Sequence, residues 1–95
     1  MAVRTTPYSK TAAATAATVL AANGARVSLQ VQPHGGKVWV NASDGTATSA
    51  APSYEVAAGQ ILLLEGQSCP AGAVSLIRDS GEGSDVSVTV VEGVP

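Results

Sequence analysis

From Ala25 onward, apolar and polar residues alternate. Val27, Leu29 and Val31 are separated by Arg26, Ser28, Gln30 and Gln32, the period of two that marks a half-buried strand. Pro33-His34-Gly35-Gly36 has the composition of a turn. Beyond it Val38 and Val40 fall on one face, and Lys37, Trp39 and Asn41 on the other, so the two strands read as a hairpin. Residues 43–53 are small and polar with Asp-Gly early and Pro late, a loop. A short strand follows over residues 54–56, then a turn over residues 57–60. Ile61-Leu62-Leu63-Leu64 places two large apolar side chains on each face of a strand. Residues 69–72 make another turn. Residues 73–78 form a strand apolar on both faces at Leu76 and Ile77, residues 79–85 a polar hairpin loop, and Val86, Val88 and Val90 the inward side of a last strand.

The N-terminal third is less regular. Pro7 interrupts regular structure, and Thr5-Thr6 ahead of it favour extended geometry, so residues 1–14 read as an extended arm. Over residues 11–22, Ala13, Ala16, Ala17 and Leu20 fit helical spacing with Asn23-Gly24 as a stop. Three threonines and the hairpin propensity of Asn-Gly argue instead for a strand over residues 15–21, the preferred reading. The pattern predicts an all-β fold: a small antiparallel β-sandwich or barrel of six to seven short strands, with the arm at 1–14 and the β domain at 15–95. Strand–helix alternation is missing, which argues against α/β folds.

Composition sharpens this picture. The 95 residues suit one domain with a thin core. The chain is 45% hydrophobic but has no Phe, and Trp39, Tyr8 and Tyr54 are its aromatics. Val, Leu, Ile and Ala must therefore fill the core, and a light core in a small domain usually needs staples or partners. Cys69 is the single cysteine, so no intrachain disulfide can form. Charged residues are 13% of the chain, with net charge −2 and scattered basic residues. That pattern lacks the basic stripe of a nucleic-acid binder, and no apolar run has the length of a membrane span. Arg4 and Lys10 ahead of the Ala-rich run 12–22 mimic a secretory signal, but Thr11, Thr15 and Thr18 dilute its apolarity, and it is expected to be part of the fold.

Candidate chemistry is sparse. His34 lies in a Gly-rich turn and reads as a surface residue. Cys69 has no basic neighbour in sequence and reads as a packed, inert thiol. Asp79, Glu82 and Asp85 bracket a flexible loop, but an EF-hand would need its bidentate Glu where Val90 stands. They read as a solvated loop tip. No catalytic, cofactor-binding or metal-binding residue is assigned, and the chain is expected not to be an enzyme. Trp39 points away from the Val38/Val40 face, either as cover for the sheet or as an interface anchor. With Tyr54 it could form a stacking platform for a carbohydrate, the alternative function. Arg26 and Arg78 stand in apolar surroundings, and at least one is expected to pair with a carboxylate.

The stretch Leu20-Ala-Ala-Asn-Gly-Ala-Arg-Val-Ser-Leu-Gln-Val-Gln32, the strand Gly36-Lys-Val-Trp-Val40 and the turn Val56-Ala-Ala-Gly59 resemble small virion proteins of tailed bacteriophages. The resemblance covers roughly residues 15–65. It implies a capsid decoration (cement) protein, or a related head-fibre or tail component. Such a protein would sit on the capsid surface of the virion, be assembled in the host cytoplasm, and reinforce junctions between major capsid subunits. The implied partners are the major capsid protein and further copies of the chain, as a homotrimer or dimer, with no nucleic acid and no membrane. Residues expected at interfaces are Arg4, Tyr8, Trp39, Ile61, Leu63 and Ile77, and Ile77 and Val91 are expected to extend an Ile61–Leu63 patch.

Overall fold

The period-two segments become strands that pair across long stretches of sequence. The computed structural model describes residues 3–50, 52–66 and 69–95. Met1 and Ala2 of the expected arm and Ala51 of the expected loop lie outside them. The strands are β1 (Arg4–Ala12), β2 (Ala17–Leu20), β3 (Ser28–His34), β4 (Val38–Asn41), β5 (Tyr54–Val56), β6 (Leu62–Glu65), β7 (Val74–Arg78) and β8 (Val86–Val94). They form two four-stranded antiparallel sheets, ordered β1-β8-β3-β6 and β2-β7-β4-β5. Every connection crosses from one sheet to the other except β4 to β5. This interlocked order is that of a jelly roll, so the chain is all-β and sandwich-like, as the patterning indicates, with eight strands instead of the expected six to seven because the N-terminal segment supplies β1.

Three local expectations are corrected. Residues 4–12 are extended, but they are no free arm: β1 pairs with β8 from Arg4↔Val94 to Ala12↔Val86. Tyr8 and Ala12 turn inward there, and both contact the core. Pro7 is tolerated because β1 is a sheet edge. The turn at 33–36 makes no hairpin, because β3 and β4 lie in different sheets. For the same reason residues 79–85 bridge the sheets between β7 and β8. Turn residues reverse the chain equally well within a sheet and between sheets.

The core lies where the inward rows meet. Leu29 and Val31 of β3, and Val86, Val88 and Val90 of β8, face Val38, Val40, Val74 and Leu76 of the opposite sheet. All are buried. Pro33 is also buried in the central strand β3. It is accommodated because β6 pairs only as far as Val31, and the Pro33 carbonyl instead accepts the Gly59 N–H at 2.9 Å.

One end of the sandwich is closed by a charge. The Arg26 side chain is fully buried and pairs through Nε with Glu92 Oε2 at 2.8 Å. Its Nη1 donates to the carbonyls of Pro70 (3.0 Å) and Gly72 (2.8 Å), and its Nη2 to that of Ala21 (3.0 Å). The guanidinium thus joins β8 to the loops that precede β3 and β7. This internal ion pair supplies a staple that a cysteine-poor chain lacks. Arg78 pairs with Asp85 at 2.7 Å nearer the surface, so both arginines meet a carboxylate.

Candidate interaction site

The alternation that fills the core also fixes what each outer face presents. On the β1-β8-β3-β6 sheet the registers build outward rows: Leu63–Gln30–Val91–Pro7, and beside it Glu65–Ser28–Gly93–Thr5. A third row runs Gln32–Thr89–Ser9, with Ile61 at its β6 side. A fourth row runs His34–Ser87–Thr11, so the ionisable groups of the face are Glu65 at one corner and His34 toward the other end. Ile61 and Leu63 are the prominent apolar groups, 54% and 50% exposed. Gln30, Gln32, Ile61, Thr89 and Val91 line a shallow depression of about 50 Å³ beside them. Pro7, placed here by the pairing of β1, could not be assigned to the face while residues 1–14 read as an arm.

The opposite face carries the tryptophan. Trp39 lies between Ile77 of β7 and Glu55 of β5, half-buried on the outer side of the β2-β7-β4-β5 sheet. Its indole N–H donates to Asp79 Oδ1 at 2.9 Å. Lys37 Nζ lies 3.5 Å from Glu55 Oε2 and 3.9 Å from Asp79 Oδ1, partly exposed pairs of small energetic weight. The Trp39 indole N–H, with the Gly81 N–H and Lys37 beside it, holds the Asp79 carboxyl below its ordinary range. No local sequence signal links Trp39 to Asp79, which is 40 residues away.

The expected interface residues therefore divide. Ile61 and Leu63 stand on one face, and Trp39 and Ile77 on the other. The expectation that Ile77 extends the Ile61–Leu63 patch is corrected, because β7 and β6 belong to different sheets. Val91 does share the Leu63 row. Tyr8 is half-buried on the inward side of β1, with Lys10 Nζ 5.3 Å from its ring centre. Arg4 is exposed at the start of the same strand.

The Trp39–Tyr54 platform does not form. Tyr54 pairs with Val40, whose side chain points into the core, and Trp39 pairs with the next residue, Glu55. Neighbouring positions in a strand point to opposite faces, so Tyr54 and Trp39 emerge on different sides.

The charged groups around a further cleft are engaged within the chain. Between Ala14, Ser49, Ile77, Arg78, Asp79 and Glu82 lies an open cleft of about 290 Å³. Arg78 there is paired with Asp85, Asp79 accepts from Trp39 and Gly81, and Glu82 accepts the Lys37 N–H at 3.0 Å. Among the described residues no three His, Cys, Asp or Glu side chains gather as a metal set. His34 Nε2 lies 2.8 Å from the Thr89 hydroxyl. Cys69 is half-buried against the core. Burial pushes its thiol pKa up, and the nearby Glu92 adds to this while Arg26 opposes it. A raised pKa lowers the thiolate fraction and slows the reactions of the sulfur.

No family model and no curated protein sequence matches the chain. Among solved structures, the fold is similar to a subunit of Bacillus endospore appendages, described as a novel family of disulfide-linked pili. The TM-score is 0.51 at 19% sequence identity, covering 99% of this chain and 88% of that one. At this identity the likeness concerns the fold.

Proposed function

We propose that the chain is a non-enzymatic structural protein that works as one of many copies in a larger protein assembly, and specifically as a capsid decoration protein bracing junctions between major capsid subunits. The observation that carries this reading is the pair of opposed outer faces, one with Ile61 and Leu63, the other with Trp39 and Ile77. Apolar side chains on both broad sides of a sandwich suit a subunit that touches more than one neighbour. Trp39, held in place by Asp79, is a pre-ordered aromatic anchor of the kind that concentrates binding energy. The resemblance to small phage virion proteins supplies the capsid, and the likeness to a pilus subunit supports a structural role. Weak single contacts suffice when many copies attach to one particle.

The test is to isolate the chain from the cells or particles that carry it and to measure the mass and stoichiometry of what it sediments with. Co-sedimentation with a megadalton particle at fixed stoichiometry is expected. A chain found only free, or as a small oligomer without a particle, overturns the reading. The pilus likeness favours a fibre subunit as the second reading. Negative-stain microscopy of the purified chain decides that point, because a fibre subunit forms filaments without a capsid.

A further inference from the structure

We propose that two copies of this chain pack face to face through the outer side of the β1-β8-β3-β6 sheet, each seating its Leu63 in the depression of the other. The inference rests on the structural-subunit reading and names one partner within it. Three features of the face select a second copy as occupant. The first is shape. Leu63 and Ile61 form a ridge at the β6 edge, half-exposed at 50% and 54%. Directly beside it, the depression over Gln30 and Gln32, walled by Ile61, Thr89 and Val91, has about 50 Å³, room for the tip of one aliphatic side chain. A two-fold axis along the strands, midway between ridge and depression, seats both ridges at once. In such an isologous contact each knob meets the same hole.

The second feature is charge. Across a two-fold axis a charged group near the centre faces its own like. The central rows Leu63–Gln30–Val91–Pro7 and Gln32–Thr89–Ser9 carry no charged side chain, and the His34 ring, from the neighbouring row, meets the rim of the depression with Nε2 2.8 Å from the Thr89 hydroxyl. An amide both donates and accepts, so Gln30 can pair with its own copy where a lysine or glutamate could not. Glu65 sits at the corner, on the row farther from the depression.

The third is area. With the axis near β3, the two sheets overlap over about two and a half strands about 4.8 Å apart and about seven residues of 3.3 Å long, roughly 280 Å² of flat sheet per copy. The pair then hides about 560 Å² before side-chain relief is added, below the threshold of about 1,000 Å² for a specific interface and in the range of weak, transient contacts. A dimer in rapid exchange, stable at high local concentration, is the expected outcome for this size.

The experiment is light scattering on the purified full chain over a concentration series, with far-UV circular dichroism as the check on folding. The wild type is expected to approach twice the chain mass as concentration rises. Leu63→Asp should stay at the monomer mass with an unchanged spectrum, and Leu63→Met should retain the dimer. A second measurement does not depend on that variant. With Cys69→Ser as background, Gln30→Cys should be joined into dimers by a short bismaleimide, and Glu55→Cys, on the other face, should not. A wild type that is monomeric throughout, a trimer, a Leu63→Asp variant with wild-type mass, or cross-linking at Glu55→Cys but not Gln30→Cys each overturns the proposal. A monomer that still attaches to particles removes the two-fold contact and leaves the structural reading standing. A dimer broken by Leu63→Asp, with no particle association, does the reverse.

Discussion

Replacing Arg26 by Met tests whether one buried cation closes the sandwich. The guanidinium makes a charge-assisted contact to Glu92 and three hydrogen bonds to the carbonyls of Pro70, Gly72 and Ala21. Its side chain is fully buried and that of Glu92 is 14% exposed. Removing it strands a carboxylate at the end of an apolar interior. Breaking such a pair from one side costs about 3–5 kcal/mol. A domain of this length is stable by about 5–14 kcal/mol, so the loss takes between about a fifth and all of that stability, with a Tm lowered by roughly 12–40 °C. Urea unfolding followed by Trp39 fluorescence and circular dichroism measures the loss, with an unchanged m-value as the check that compactness is preserved. Adding Glu92→Leu removes the stranded charge and should restore at least about 1 kcal/mol. A single variant that costs under about 1 kcal/mol, or a double variant less stable than the single, would refute the assignment of Arg26 as the staple.

Other outcomes follow from particular contacts. Asp79 has a native pKa below its unfolded value of about 3.9, so the stability it contributes is complete above that value and is lost as pH falls through the lower native one. Fluorescence of Trp39, the single tryptophan, should therefore step at a pH below about 3.9, and Asp79→Asn should abolish the step. A Cβ on Gly72 would come within 2.7 Å of the Asp44 amide nitrogen and 2.9 Å of the Ser43 carbonyl carbon. Gly72→Ala should accordingly cost about 1–3 kcal/mol, while Gly83→Ala, with open space around it, should stay within about 0.5 kcal/mol in the same urea titration. Cys69 should react with a thiol reagent at neutral pH far more slowly than the urea-unfolded chain, and equal rates would count against its burial.

The strands with a clear period of two were legible in the sequence. Leu29 and Val31, Val38 and Val40, and Val86, Val88 and Val90 all face inward. β1 was not, because its inward side is Tyr8, a lysine stem and Ala12 among threonines and serines. That is too little apolar contrast for a local signal, and the strand exists through nine residues of pairing with β8. β8 itself runs past the alternating valines to Val94. There Glu92 breaks the apolar pattern because its partner is a buried arginine. The turns were placed well and their destinations were not: the composition of 33–36 and 79–85 reports reversal, not which sheet the chain enters next. The outward Leu63 and Trp39 followed from alternation alone. Their separation onto opposite faces needed the topology, and the Arg26 contacts to Pro70, Gly72 and Glu92 span 44, 46 and 66 residues.

The single thiol constrains how copies of this chain can be joined. The pilus subunit of similar fold belongs to a disulfide-linked family, and a covalent polymer needs at least two bridging points on each subunit. Cys69 offers one, so its disulfide would end at two chains, and its raised pKa lowers the thiolate fraction that would form it. The proposed assembly of many copies would then rest on non-covalent surfaces. A two-fold contact through the Leu63 face also closes at two copies, but it leaves both Trp39 faces free, turned away from each other. Four sheets stacked about 10 Å apart place those faces about 30 Å from one another. A dimer of this form is bivalent, and binding of one Trp39 face raises the effective concentration of the other at a neighbouring site. Such a dimer would serve the proposed role of bracing a junction between two subunits, and loss of either face should weaken attachment: Leu63→Asp by halving the valency, Trp39→Ala by removing the anchor itself. The two are separable by titrating particles with each variant, since a monovalent domain binds more weakly with its stoichiometry per site intact, whereas a domain without its anchor does not bind.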